Sequence, residues 1–482
     1  MNQNSTPLFT QLKKHSESNI IPFHVPGHKY GLGIKQLTEY TGENLLGIDL
    51  TETPDLDNLC NPIGVILESE KLCANLFDVS SSIFVVNGTR LALQAVLMQI
   101  CKSDEKVLIP RNSNLSVYNG LVLSGAFPEY VMPSFFEDLS IWGDIKDLHL
   151  KSVITEKNKF KLLIINNPNC YGICSNLASI IELTNSFNIP VLADETFGAF
   201  FYLCDDKKFT SIASQSALAV VGMDSAGLSM PQAAILLIGS KSFNSLNIRE
   251  SVNLLSTSSP SYILMASLDA ARQESAQYGN TIINNVIELA VFIRKKLNSI
   301  PGVFAPDKQF FVSKSYTHFD ETKLLINISD TGISGYKIRG LLKEKYNLSL
   351  NFCDLHNIVI HLTVNHTKSH LEHFANCLLK IIKENKKSTR VSEINPSLQP
   401  DISVCPREAF YSNKIKVSLG QAQGQISGET IVPIGSETPI LFYGEKITNE
   451  VIDSIKALKS EECSFKYNID SRVDYINVLS AN

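Results

Sequence analysis

Charge is the first thing this chain has little of. Only 19% of its 482 residues are Asp, Glu, Lys or Arg, and the formal net charge at pH 7 is -5. So mild a balance offers no basic stripe for nucleic acid and no cationic face for an acidic membrane, and neither partner is expected. Long apolar runs are missing too. No stretch reaches the roughly 18 consecutive apolar residues that a membrane-spanning helix requires. The opening MNQNSTPLFTQLKKHSES lacks the apolar core of a secretory leader, so a cytoplasmic protein is the expectation. Ten cysteines are present but scattered. Cys170 and Cys174 are the closest pair, and no second pair completes a metal-binding set. Free thiols are therefore expected, with neither a disulfide framework nor a metal site. Internal repeats and low-complexity segments are absent.

Apolar material, by contrast, is plentiful: hydrophobic residues make up 44% of a chain long enough for two or three domains. From Ser82 onward, short apolar runs alternate with helical spacing. The runs are SIFVVNGT, KVLIPRN, KLLIINNPN, PVLADET, SALAVVGM and QAAILLIGS, with RLALQAVLMQI and NLASIIELTNSF as helices between. Runs apolar at every position belong to strands buried on both faces, which predicts a mostly parallel sheet covered by helices, an α/β fold. A smaller α+β region is predicted from about residue 284 to 384. It opens with a helix at VIELAVFIRKKLNSI (residues 286–300) that stops before Pro301 and Gly302. The strand KLLINIS, a helix at GYKIRGLLKEKY, short strands around LSLNFC and NIVIHLTV, and a last helix to Ile382 follow. The polar ENKKSTRVSEINPSLQP reads as a linker to a C-terminal segment.

A series of motifs punctuates this frame: FHVPGHKYG (residues 23–31), IDLTETPDLDNLCNPIG (48–64), VVNGTR (85–90), PRNSNL (110–115), NPNCYG (167–172), DETFG (194–198), VGMDSAGLSMPQ (221–232), STSSPSYILMASLDAAR (256–272) and CPREAFY (405–411). Together they resemble the ornithine/lysine/arginine decarboxylase family. That family reads H-x-P-G-H-K, DLTE-x-P-G-LDDLH-x-P-x-G, N-G-T-S, PRN-x-HKS, NPTY-x-G, DEAHG, S-x-H-K, TS-x-SY-x-LLASLD-x-AR and TPR-x-AFY at the matching places. The resemblance spans residues 7–478. It implies a pyridoxal phosphate (PLP) enzyme of fold type I, aminotransferase-like. Its parts would be an N-terminal arm over residues 1–60, a large α/β domain over 61–283, a small α+β domain over 284–390 and a C-terminal domain over 391–482. The arm motif and Ser259–Tyr262 suit a site built from two chains, so a homodimer or higher oligomer is expected, with a true decarboxylase as a further candidate partner.

The same resemblance assigns the cofactor-binding positions. Asp194 would hold the pyridine nitrogen protonated. Gly88 and Thr89, where a strand gives way to a helix, would grip the phosphate, with Arg90 standing in for a serine. Gly222 replaces a second phosphate-binding serine, Asn114 the histidine that stacks on the ring, and Phe197 and Asp224 two further histidines. Cys170 replaces a tyrosine, and Asn351 a glutamate suited to a basic substrate. At the position of the Schiff-base lysine, 31 residues after Asp194, stands Ser225. A hydroxyl cannot form the imine, and no ammonium remains to return a proton to the substrate carbon. Lys208 and Lys241 lie sixteen or more residues away. PLP is thus the cofactor by resemblance, without covalent attachment and with no cofactor at all also compatible, and no catalytic residue is assigned. The expectation is an inactive paralogue with a binding or regulatory role; the alternative is an active decarboxylase of lysine, arginine or ornithine. A third reading, another enzyme reusing the pocket, has no motif behind it. Asp194, Thr89, Arg90, Asn114 and Ser225 are expected to converge at the C-terminal edge of one sheet.

Overall fold

The computed structural model describes residues 1–480 apart from 19, 156–158, 204–216, 314–317, 388–390, 392–399 and 469. Lys208 and most of the expected linker lie outside the described residues. The chain forms two compact units, Met1–Gln99 with Leu192–Asn284, and Ile100–Val191 with Asn285–Asn482.

In the first unit, the strands Ser81–Val85, Ala234–Ile238, Leu218–Gly222 and Val191–Glu195 lie side by side in that order. Almost every residue in them is buried, as continuous apolar runs demand. The α/β class holds, but this part of the sheet is mixed. Val191–Glu195 and Leu218–Gly222 are parallel, whereas Ala234–Ile238 runs antiparallel to both of its neighbours. The cause is the length of the connection. Only residues 223–233 join Leu218–Gly222 to Ala234–Ile238, and they hold a single 3-10 turn, Met223–Ala226. A parallel return needs a dozen or more residues, usually including a helix.

Several sequence motifs turn out to be anchors. Asp57 accepts hydrogen bonds from the backbone N–H groups of Ile63 (2.9 Å), Gly64 (2.8 Å) and Ile66 (3.0 Å), which caps the helix Val65–Leu76. Asp269 receives the N–H groups of Leu8 (3.1 Å) and Phe9 (3.2 Å) at the start of the helix Pro7–Ser16. Its negative charge faces the positive end of that helix. Arg272 completes the set, fully buried, 2.9 Å from Asp269 and 2.6 Å from the Gln3 carbonyl. The helix expected over residues 286–300 is the end of a longer one, Tyr262–Leu297, of 36 residues. Gly279 looks like a break within it. It instead lets another segment come close, since a Cβ there would stand 2.5 Å from the Leu203 carbonyl oxygen. Near the N-terminus the helix Lys35–Thr41 buries none of its residues, and Phe23 (94% exposed) and Tyr40 (91%) project from the same segment.

The second unit contains the parallel strands Phe160–Asn166, Lys106–Pro110 and Phe127–Val131. It also has an antiparallel sheet of Lys323–Asn327, Asn357–His361 and Phe352–Cys353. The helices Gly335–Tyr346 and Lys368–Asn385 accompany that sheet where the periodicity places them. Farther on, Lys414–Ser418 pairs with Tyr475–Leu479, and Ile431, Leu441, Ile455 and Ile476 build a core there. Arg111 is buried. Its guanidinium bonds the Pro439 (3.0 Å) and Ile440 (2.9 Å) carbonyls and the Tyr118 hydroxyl (2.6 Å), with Glu445 at 3.5 Å. Among the described residues, no helix is long and apolar enough to cross a membrane, and no three His, Cys, Asp or Glu side chains gather to hold a metal.

Candidate functional site

Strand direction decides what can meet in the first unit. Val191–Glu195 and Leu218–Gly222 are parallel, so their C-terminal ends share one edge. Ser81–Val85 is antiparallel to a strand that is itself antiparallel to Leu218–Gly222, and it therefore ends at that edge too. Open α/β sheets bind ligands there, beyond the strand ends. Asp194 is placed at this edge by the first strand, Met223–Ala226 by the second, and Gly88 and Thr89 by the third.

Asp194 is buried, and its Oδ1 accepts the Thr196 backbone N–H at 3.1 Å as well as the Thr196 hydroxyl. Thr196 was not foreseen as a site residue. The signal was present: a hydroxyl two residues after an aspartate at a strand end, where the resembled motif has alanine. Glu195 is fully buried and bonded by the Tyr202 hydroxyl.

Gly88 adopts a φ of +82° and donates its N–H to the Gln232 carbonyl at 2.9 Å. It opens the helix Gly88–Ile100, with Arg90 exposed on the first turn. Gly222 shows how close the three strand ends come. A Cβ at Gly222 would lie 2.8 Å from the Thr196 carbonyl oxygen, 3.0 Å from the Asp224 carboxylate and 3.4 Å from the Thr89 methyl. A serine at that place is therefore incompatible with the turn as it stands. Phe197 is half-buried just after Val191–Glu195, and Asp224 is exposed on the 3-10 turn.

Ser225 sits on the same turn, which closes at Gly227 with a left-handed φ of +80°. Its Oγ is buried and has no hydrogen-bond partner. A buried unsatisfied hydroxyl costs about 1–3 kcal/mol, so nothing in the packing of this chain rewards serine there. No lysine stands on the turn, and Lys241 is exposed beyond the Ala234–Ile238 strand.

Asn114 belongs to the second unit. Its Oδ1 accepts from the Ser116 N–H (2.8 Å) and the Ser116 hydroxyl (2.7 Å), so it is the N-cap of the helix Leu115–Ser124. The asparagine ahead of a helical run was the signal for this structural role.

Comparison with known proteins gives a consistent set of likenesses. A family model described as "Orn/Lys/Arg decarboxylase, major domain" matches residues 6–370. The chain is 32% identical over 459 residues to the arginine decarboxylase of Bacillus subtilis (strain 168), covering 94% of each protein. It is also 28% identical over 478 residues to the uncharacterized protein YaaO of the same organism, covering 96% of each. Among solved structures, the lysine decarboxylase LdcF of Francisella novicida matches with a TM-score of 0.85 at 19% identity, over 99% of this chain and 81% of that one. An alanine–glyoxylate aminotransferase from Nostoc sp. matches with a TM-score of 0.54 at 15% identity, over 77% and 99%.

Proposed function

The chain belongs to the Orn/Lys/Arg decarboxylase family and has the α/β fold of PLP-dependent fold-type I proteins, and from that premise we propose that it is a catalytically inactive member acting by binding or regulation. One observation carries the reading. The turn Met223–Ala226, which the resemblance assigns to the Schiff-base lysine, presents Ser225 with a buried, unpartnered hydroxyl. Transimination needs an amine, and serine has none to give. Other positions that the resemblance assigns to the cofactor support the same reading: Thr196 engages Asp194 Oδ1, Gly222 leaves no room for a phosphate-binding hydroxyl, and Asn114 is occupied as a helix cap. These residues do not fit a lysine-tethered PLP.

The assembly proposed with it is a homo-oligomer of at least two chains in the cytoplasm. Its support is the arm segment, where Ile21 (76%), Phe23 (94%), Val25 (66%) and Tyr40 (91%) are exposed without cover from their own chain. Large apolar side chains left exposed so near one another in sequence point to an interaction site. The domain limits near residues 60, 283 and 390 belong to this proposal as well. A second reading, an active decarboxylase of a basic amino acid, is favoured by the 32% identity to an arginine decarboxylase over 94% of both chains.

Absorption spectroscopy separates the two. Purified protein mixed with PLP, treated with borohydride and digested should yield no single peptide labelled stoichiometrically above the scattered labelling of exposed lysines, and should release no carbon dioxide from arginine, lysine or ornithine. An aldimine band trapped onto one peptide, with turnover, would establish the active reading in its place.

A further inference from the structure

The second unit contains a cavity of about 470 Å³. That volume lies in the range of small-molecule sites. None of the residues discussed for PLP lines it. Its walls include four aromatic rings, Phe135, Trp142, Tyr171 and Tyr336, and two carboxylates, Glu137 and Asp354. Trp142 packs edge-on against Phe135 with ring centres 5.1 Å apart.

The electrostatic balance inside this cavity is negative. Arg111 also lines it, but its guanidinium is committed to Glu445 (3.5 Å), the Pro439 and Ile440 carbonyls and the Tyr118 hydroxyl. Glu445 is not part of the lining, so it offsets the arginine from behind the wall. Asp354 accepts the His356 N–H (2.7 Å) and the Asn357 N–H (2.8 Å) on Oδ1, the Tyr171 hydroxyl (2.8 Å) on Oδ2, and the Asn357 side-chain amide on both oxygens (3.1 Å each). Those bonds fix the carboxylate in the wall, while burial lifts its pKa above the ordinary value, a penalty that a neighbouring cation relieves. Glu137 is exposed at the rim. His356, only 8% exposed, lines the same space, and its Nδ1 has no partner in the protein. Aromatic faces attract cations through the ring quadrupole, most strongly in tryptophan.

We propose that this cavity is a binding site for an organic cation, an ammonium or guanidinium carried on an apolar body. The charged head meets Asp354 and Glu137, and the body lies among Trp142, Phe135 and the two tyrosines. The proposal stands apart from the reading of Ser225, because it invokes no residue of the cofactor edge.

Trp142 is the only tryptophan in the chain, so its emission reports on this cavity alone. The probe is 2-phenylethylguanidinium, with 2-phenylethanol and 3-phenylpropionate as neutral and anionic counterparts of similar shape. The cation is expected to change the Trp142 emission saturably, with the two counterparts about tenfold weaker or more. Glu137→Gln, at the exposed rim, should weaken the cation about two- to fivefold. Asp354→Asn, which keeps the Oδ1 acceptor for the backbone, should weaken it about tenfold or more. Calorimetry on Trp142→Phe should show a loss of about threefold. If Asp354→Asn does not fold, the Glu137→Gln result and the three-ligand comparison still decide. Equal binding of the alcohol, tighter binding of the carboxylate, or no saturable signal from the cation up to roughly 10 mM by either method overturns the proposal.

Discussion

Replacing Asp144 by asparagine should change the way stability depends on pH. Asp144 is half-buried in the second unit, and its Oδ1 has no hydrogen-bond partner. Desolvation pushes its pKa up to about 6 from an ordinary value of 3.8. An acid whose folded value is raised binds its proton more tightly in the folded state. Stability therefore falls as pH rises from about 4 to about 6; the cost is fully present above that window and absent below it. Two pH units at about 1.4 kcal/mol each set an upper figure of roughly 3 kcal/mol, which solvent at the half-buried side chain reduces to about 1–2 kcal/mol. Asparagine keeps the shape and removes the charge. Asp144→Asn should accordingly raise the thermal midpoint near pH 7.5 by about 1–2 °C, and leave it nearly unchanged near pH 4. Melting curves of both proteins, followed by circular dichroism across that range, make the comparison. An equal difference between the two proteins at both pH values would refute the reasoning, because a packing effect has no reason to titrate.

Restoring the amine by Ser225→Lys should give an absorbance band with PLP at most. Turnover of arginine, lysine or ornithine should require Asn114→His as well, and that second change should cost about 1 kcal/mol of stability because Asn114 caps a helix. Family-like turnover in the single mutant would show that Asn114, Phe197 and Gly222 are tolerated variations. Asp269→Ala removes one partner of a fully buried ion pair together with the anchor of Leu8 and Phe9, and should cost about 3–5 kcal/mol in chemical denaturation. A loss under about 1 kcal/mol would mean that Arg272 finds other partners. Sedimentation should find at least a dimer with an interface above about 2,000 Å², and a stable folded monomer at micromolar concentration would sink that assembly.

The elements most legible in the sequence are those whose burial leaves no ambiguity. Val191–Glu195, Leu218–Gly222 and Ala234–Ile238 are buried along their whole length, and an unbroken apolar run says so directly. The same run carries no direction, which is why the antiparallel course of Ala234–Ile238 could not be read from it. Direction came from the shortness of residues 223–233, a quantity fixed only when both strand ends are known. The start of the helix at Tyr262 was hidden for a similar reason. Gly279 lies inside that helix, and the Leu203 carbonyl against it comes from a distant part of the chain. At the candidate site, substitutions were visible one residue at a time, but their couplings were not. That the Thr196 carbonyl forbids a side chain at Gly222 depends on two strands lying side by side. The cavity in the second unit draws on residues spread from Arg111 to Leu458, and no local pattern announces it.

On the reading proposed above, the bond from Thr196 to Asp194 has a nutritional consequence. In a fold that waits for its cofactor, a buried acid remains unsatisfied until the ring arrives, and scarcity of the vitamin lowers the amount of folded protein through mass action. Here the chain supplies a partner for that acid from two residues away, at birth and without any metabolite. Cells starved of vitamin B6 should lose active decarboxylases from their soluble pool while the level of this protein holds steady. Immunoblots of a pyridoxine-requiring strain, sampled through depletion and refeeding, would register the difference.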